Sequence, residues 1–172
     1  ERYVNYKINV NGNITRIRWN KNINLPFRYS DIYDINHEKH ITSDWLNLPI
    51  EKSKYIIKGL IDSDGCKNKE LLFDSTSYNL IESLRFLLLK LGILTSGYQR
   101  DRIGEKHEID RGIIENKKLS YTLRIPQTEE ICNLLDIECK SKFFKFFKYK
   151  NLIFTRIKSI NKKHYEGILY DL

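Results

Sequence analysis

The sequence predicts an α/β (α+β) chain in which antiparallel strands pack on helices, and three patterns carry that prediction. Residues 3–19 alternate around Asn11-Gly12-Asn13, as a hairpin does. Residues 76–91 place Leu80, Leu84, Leu87, Leu88 and Leu91 on a helical period. Residues 93–103 and 117–125 alternate as two strands joined by a charged loop.

With 172 residues, one domain is expected, or one domain and a fragment of a second. That length buries a proper core, and no apolar run is long enough to span a bilayer, so no membrane partner is expected. The formal charge of +8 and a pI near 9.3 favour nucleic acid as partner, with an ordinary basic surface as the alternative. Cys66, Cys132 and Cys139 form no C-x-x-C pair; reduced, mostly buried thiols and an intracellular location, cytoplasm or nucleus, are expected. The chain has no Met and begins at Glu1, so part of a longer product is expected.

In the first hairpin, strands Val4–Ile8 and Ile14–Trp19 are expected, with Arg16 and Arg18 on one face and Ile17 and Trp19 on the other. The two arginines suit phosphates or base edges, and equally a solvated face. Residues 20–40 read as irregular. His37-Glu38-Lys39-His40 lacks the i,i+4 histidines of a helical zinc site, so no metal role is assigned there. Pro49 opens a helix that runs to about Asp62–Asp64, where Gly59 and Ser63 make a small-residue notch on one face. Gly inside a helix costs about 1 kcal/mol relative to Ala, and close approach of a second helix would explain it.

Lys69–Ser75 reads as a strand, and Thr76 or Ser77 caps the helix that follows, with Gly92 past its end. Tyr98, Arg100 and Arg102 alternate outward on the next strand. Lys118, Ser120, Thr122 and Arg124 share the polar face of the one after it, a surface a sheet could lay along a DNA groove. Thr128 caps a short helix with Glu129 and Glu130 in its first turn. Strands over Leu152–Ile160 and Tyr165–Leu172, with a turn at Asn161–Lys163, are expected to close the chain.

The chemistry concentrates at Ile57-Lys58-Gly59-Leu60-Ile61-Asp62-Ser63-Asp64-Gly65. A calcium loop fails, because the twelfth position counted from Asp62 is Phe73 rather than Glu. Carboxylates at a helix C-terminus oppose its dipole, a cost that a bound divalent cation would offset. Two solvated acids closing a helix remain the alternative.

This segment resembles the LAGLIDADG motif of homing endonucleases, with Lys58 where Ala is usual and Ser63 at the second-to-last small position. Phe73–Ser77 through Leu88–Ile93 is similar to the block that follows the second motif in intein endonucleases. Ile157–Ile160 through Tyr165–Leu172 is similar to a near-terminal splicing block. The resemblance implies an endonuclease half-domain with a saddle-like antiparallel sheet packed on helices over residues 1–145, then C-terminal strands of a Hint-type splicing domain over 146–172. It implies Mg²⁺ as cofactor, double-stranded DNA as substrate, and Asp64 as metal ligand and catalytic residue, with Asp62 structural at the helix interface beside Gly59 and Ser63. Lys39, in Lys39-His40-Ile41-Thr42-Ser43, and Lys142, in Ser141-Lys142-Phe143, match the family's catalytic lysines; the second match could slip to Lys140. Arg16, Arg18, Tyr98, Arg100, Arg102, Lys118 and Arg124 would face DNA.

A two-motif enzyme needs a first motif helix, and nothing before Lys39 resembles one. The missing half of the endonuclease, or a second chain, is therefore an expected partner. The chain also lacks the N-terminal splicing Cys or Ser and stops before the terminal His-Asn pair, so it is not expected to splice by itself. A single-motif homodimer, and a degenerate maturase-like protein that only binds DNA or RNA, are the rival readings.

Overall fold

A computed structural model describes residues 6–12, 14–19, 28–68, 70–109, 112–140 and 144–168. In chain order it has β1 (Tyr6–Asn11), β2 (Ile14–Trp19), a 3-10 turn (Tyr29–Asp31), α1 (Ser43–Leu46), α2 (Ile50–Asp64), β3 (Gly65–Cys66) and β4 (Leu71–Ser75). Then come α3 (Tyr78–Lys90), β5 (Ser96–Arg100), β6 (Lys106–Ile109), β7 (Gly112–Glu115), β8 (Ser120–Ile125), α4 (Glu129–Leu135), β9 (Phe146–Tyr149) and β10 (Leu152–Thr155).

The centre is an antiparallel sheet in the order β3-β4-β8-β5. Alternation along β4 and β8 sends Leu71, Phe73, Leu123 and Ile125 to one face, where they are buried against the helices. Ile57 and Ile61 of α2, Leu80, Ile81, Leu84, Leu87 and Leu88 of α3, and Ile131 and Leu135 of α4 join that core. The opposite face carries Asp74, Tyr98 and Arg124 and stays open. Helices on one side of an antiparallel sheet are the α+β arrangement expected from the pattern.

Local rules set the helix ends. The Ser77 hydroxyl accepts from Leu80 N at α3, and the Thr128 hydroxyl accepts from Ile131 N at α4. Gly92 follows α3 at φ 72°, and the Lys148 side chain lies over it to donate to Leu91 O at 2.6 Å. Lys90, at the end of α3, donates to Leu46 O and Leu48 O at 2.7 Å each, so one ammonium holds the α1–α2 connection.

The structure corrects several expectations. The charged loop between β5 and β8 contains a hairpin, β6–β7, in register Ile109↔Gly112. All of its strand residues are exposed, so no buried face marked it in the sequence. In the first hairpin Asn11 pairs with Ile14, and Gly12 at φ 58° makes the turn. Ile8 and Val10 there are exposed.

The tail strands lie earlier than expected. Phe146–Tyr149 pairs with Leu152–Thr155, because Lys150 at φ 53° makes a two-residue turn. Residues 156–168 hold no strand, and 169–172 lie outside the described residues. The three thiols also differ from expectation: Cys132 and Cys139 are joined by a disulfide, and Cys66 is exposed. Asp136, at φ 54°, turns the chain back after α4, so the two Cα atoms stand 5.7 Å apart. Among the described residues no helix is long and apolar enough to cross a membrane.

Candidate functional site

Asp64 is the last residue of α2, and its side chain is 56% exposed. The helix stops there because Gly65 turns into extended backbone, φ −81° and ψ 142°, while its N–H still bonds Ile61 O. A Cβ at Gly65 would overlap the carbonyl and side chain of Ile61, so only Gly allows this exit. The chain pairs at once with β4, Gly65 opposite Phe73, which fixes Asp64 at the sheet edge.

Lys39 arrives from a loop built by its own hydrogen bonds. Asp34 Oδ1 accepts from the N–H groups of Asn36 and Glu38 at 2.9 Å, His37 takes φ 59°, and Tyr33 bridges to Lys39. The Ser77 hydroxyl donates to Lys39 O, tying this loop to the start of α3. The result sets Lys39 Nζ 4.0 Å from Asp64 Oδ2. Both line a cavity of about 470 Å³ whose other walls include His37, Asp74, Ser77 and Lys118. Lys118, just ahead of β8, pairs with Glu38 at 3.1 Å.

Asp62 has different company. It accepts from Lys67 and pairs with Lys58 at 3.5 Å. The hydrogen bond from Lys67, helped by the charges of Lys58 and Lys67 and opposed by burial, holds its carboxyl below the usual range. Lys58, the departure from the motif's usual Ala, also donates to Leu134 O at 3.1 Å and meets Asp136 at 3.4 Å. It thus caps the C-terminal end of α4, where a cation is favoured. No sequence signal linked Lys58 to α4, because the contact exists only once the two helices dock.

On α2, the side bearing Gly59, Ser63 and the 76%-exposed Tyr55 is uncovered, and a Cβ at Gly59 would meet nothing within 4 Å. Ser63 bonds only back to Leu60 O among the described residues, at 3.0 Å.

The open sheet face joins Tyr98, Arg100 and Arg124. Both guanidiniums lie over the Tyr98 ring, at 5.0 and 5.2 Å from its centroid. Thr122 and Arg100 hold the Tyr98 phenol below its ordinary pKa, against the opposing effect of burial. Asp74 faces the same way, paired with Arg100 at 3.6 Å and accepting from Thr122. Thr122 itself is buried rather than on the open surface, covered by this pair. Arg102 lies past the end of β5 rather than on it, and meets Glu105 at 3.8 Å. Arg16 is exposed on β2 opposite Asn9, and Arg18 is in register with Lys7, both in the separate β1–β2 sheet. Lys142 lies outside the described residues. Lys140, the alternative match, donates to Asn68 O at 3.3 Å, close in sequence to Asp64.

Residues 51–136, half of the chain, match the family model described as the LAGLIDADG-like domain. The chain belongs to that family. The matched span runs from α2 through α4 and contains Asp64, the sheet and its open face. Such domains occur in homing endonucleases and maturase-like DNA-binding proteins, and most are nucleases. The chain is also similar to ATP-dependent DNA helicase Hel308 of Methanocaldococcus jannaschii, 47% identical over 53 residues. That match covers 29% of this chain and 4% of the helicase.

Proposed function

We propose that this LAGLIDADG protein is part of an intein-encoded homing endonuclease that hydrolyses both strands of a long, specific DNA site with Mg²⁺. The observation that carries the reading is the Asp64–Lys39 pair at 4.0 Å, at the tip of a helix with an uncovered notch and beside an open sheet face that bears Arg100 and Arg124. Asp64 suits Mg²⁺, which takes one or two carboxylates plus phosphate oxygens and water. Among the described residues no cluster of three ligands exists, so the scissile phosphate and a second motif aspartate would complete the site. When bound, the metal supplies Lewis-acid polarisation of the phosphate and a more acidic water. Lys39 offsets charge developing on the phosphate, Lys142 is the second cation in this role, and the sheet face holds the duplex.

The second motif helix would pack against Gly59 and Ser63, from the other half of the endonuclease or from a second chain. The intein assignment rests on the tail block through Leu172, with residues 1–145 as nuclease and 146–172 as the splicing-domain part. It draws support from the helicase match: a likeness confined to 4% of a helicase is what an element carried inside a host protein would give.

The test is cleavage of a host gene lacking the element by the complete protein with Mg²⁺. Linear product from wild type and none from Asp64→Asn is expected, with duplex binding kept. Equal cutting by Asp64→Asn would remove the metal assignment. Duplex binding without cutting by wild type would favour the maturase-like reading.

A further inference from the structure

The open sheet face is not a plain cationic surface, because each arginine on it stands beside a carboxylate. Arg100 Nη2 is 3.6 Å from Asp74 Oδ1, and Arg124 Nε is 3.4 Å from Glu70 Oε2. Tyr98 lies between the two pairs, with both guanidiniums over its ring and its hydroxyl accepting from Arg100 at 2.7 Å. Cross-strand register explains the arrangement: Tyr98 is opposite Thr122, Arg124 is opposite Leu72 and Ser96, and Asp74 is opposite Thr122. Alternate residues of three neighbouring strands therefore converge on one ring.

A carboxylate within 4 Å of a guanidinium repels phosphate, so this face is poorly matched to the DNA backbone. The pair is well matched to a base pair. In the major groove guanine offers two acceptors, O6 and N7, and cytosine offers the N4 donor; Arg answers the first and Asp or Glu the second. At an A·T pair the adenine N6 donor would meet the guanidinium donors. The ring holds both arginines in place, which lowers the entropy lost on binding.

We infer that the Arg100–Asp74 and Arg124–Glu70 pairs, ordered around Tyr98, each read one G·C base pair in the major groove of the DNA site. Because both guanidiniums lie about 5 Å from one ring, they are at most about 10 Å apart, or about three base-pair steps. The two G·C pairs therefore fall within about three steps of each other. Tyr98 is a positioning residue here. The inference rests on the reading of this face as a DNA surface and deepens it by naming what the face selects.

The experiment selects duplexes bound by the complete protein from a randomised pool without Mg²⁺, so that cutting plays no part. Wild type is expected to enrich two G·C pairs within that spacing. Arg100→Ala should erase one preference and Arg124→Ala the other, each by about tenfold. Arg100→Lys should keep most affinity yet lose the same preference, because ammonium lacks the bidentate fork. Asp74→Ala should relax the Arg100 position while raising affinity for non-specific duplex, opposite signs that a folding defect would not give. If the arginine variants weaken all sequences equally and lower the salt slope by about one each, the arginines contact phosphate and the inference is overturned. Enrichment of some site that Arg100→Ala and Arg124→Ala leave unchanged overturns it too. A pool with no duplex enriched would overturn the DNA-surface reading as well.

Discussion

Lys39 Nζ stands 4.0 Å from Asp64 Oδ2, although one sits on a loop and the other ends a helix. The link is Ser77, whose hydroxyl caps α3 and also holds Lys39 O. Lys39→Ala is expected to slow Mg²⁺-dependent cutting by about 100-fold while leaving duplex binding within about threefold. Ser77→Ala should cost about 1 kcal/mol of stability through the lost cap and should also slow cutting, by less than Lys39→Ala. Cleavage rates beside urea midpoints check both. A Ser77→Ala protein that loses stability and cuts at the full rate would remove the link between cap and site.

Lys58→Ala restores the residue usual at that motif position, yet it should destabilise this chain. Lys58 satisfies the Leu134 carbonyl and faces Asp62 and Asp136 at the same time. The expected loss is about 1 kcal/mol, read as a lower urea midpoint with unchanged m-value, and cutting should be preserved. A variant as stable as wild type would show that the contact to α4 contributes nothing.

These two sites mark the boundary of what the sequence makes legible. Helices α2, α3 and α4 were readable because their signals are local: Pro49, Ser77 and Thr128 at the starts, and apolar spacing along α3. Asp64 was readable through the motif, and Tyr98, Arg100 and Arg124 through strand alternation. What failed depends on distance or on exposure. The β6–β7 hairpin has no buried face, so alternation had nothing to report. The Cys132–Cys139 disulfide depends on the left-handed turn at Asp136. Glu70 and Asp74 carry no local signal, because they meet arginines from β8 and β5 only once the strands pair.

Asp62 gives a pH prediction with a definite sign. Its folded carboxyl titrates below the ordinary 3.8, chiefly through the Lys67 hydrogen bond and then the charges of Lys58 and Lys67. A depressed carboxyl pKa contributes stability above the unfolded value, and that contribution fades as pH falls through the folded value. Asp62→Asn should therefore unfold at lower urea than wild type at neutral pH, and the gap should close as the pH drops below 3.8. A gap of constant size across that acid range would mean that packing, not charge, sets the effect.

Gly59 separates the needs of this chain from those of the proposed pairing with a second motif helix. A Cβ there meets nothing within 4 Å, so the chain itself has no steric reason to keep glycine in the middle of α2. Gly59→Ala should therefore raise stability by up to about 1 kcal/mol, the helix-propensity difference. Gly59→Leu should be tolerated within the chain for the same reason. It should nonetheless block close approach of a second motif helix, since small residues are what let helix backbones come near. This chain carrying Gly59→Leu is expected to keep its thermal midpoint, while the complete protein carrying it loses most DNA cutting, because the proposed second aspartate is then held away from Asp64. Full cutting by Gly59→Leu would mean that the uncovered side of α2 is ordinary solvent-facing helix, and that the second half of the site is brought in some other way.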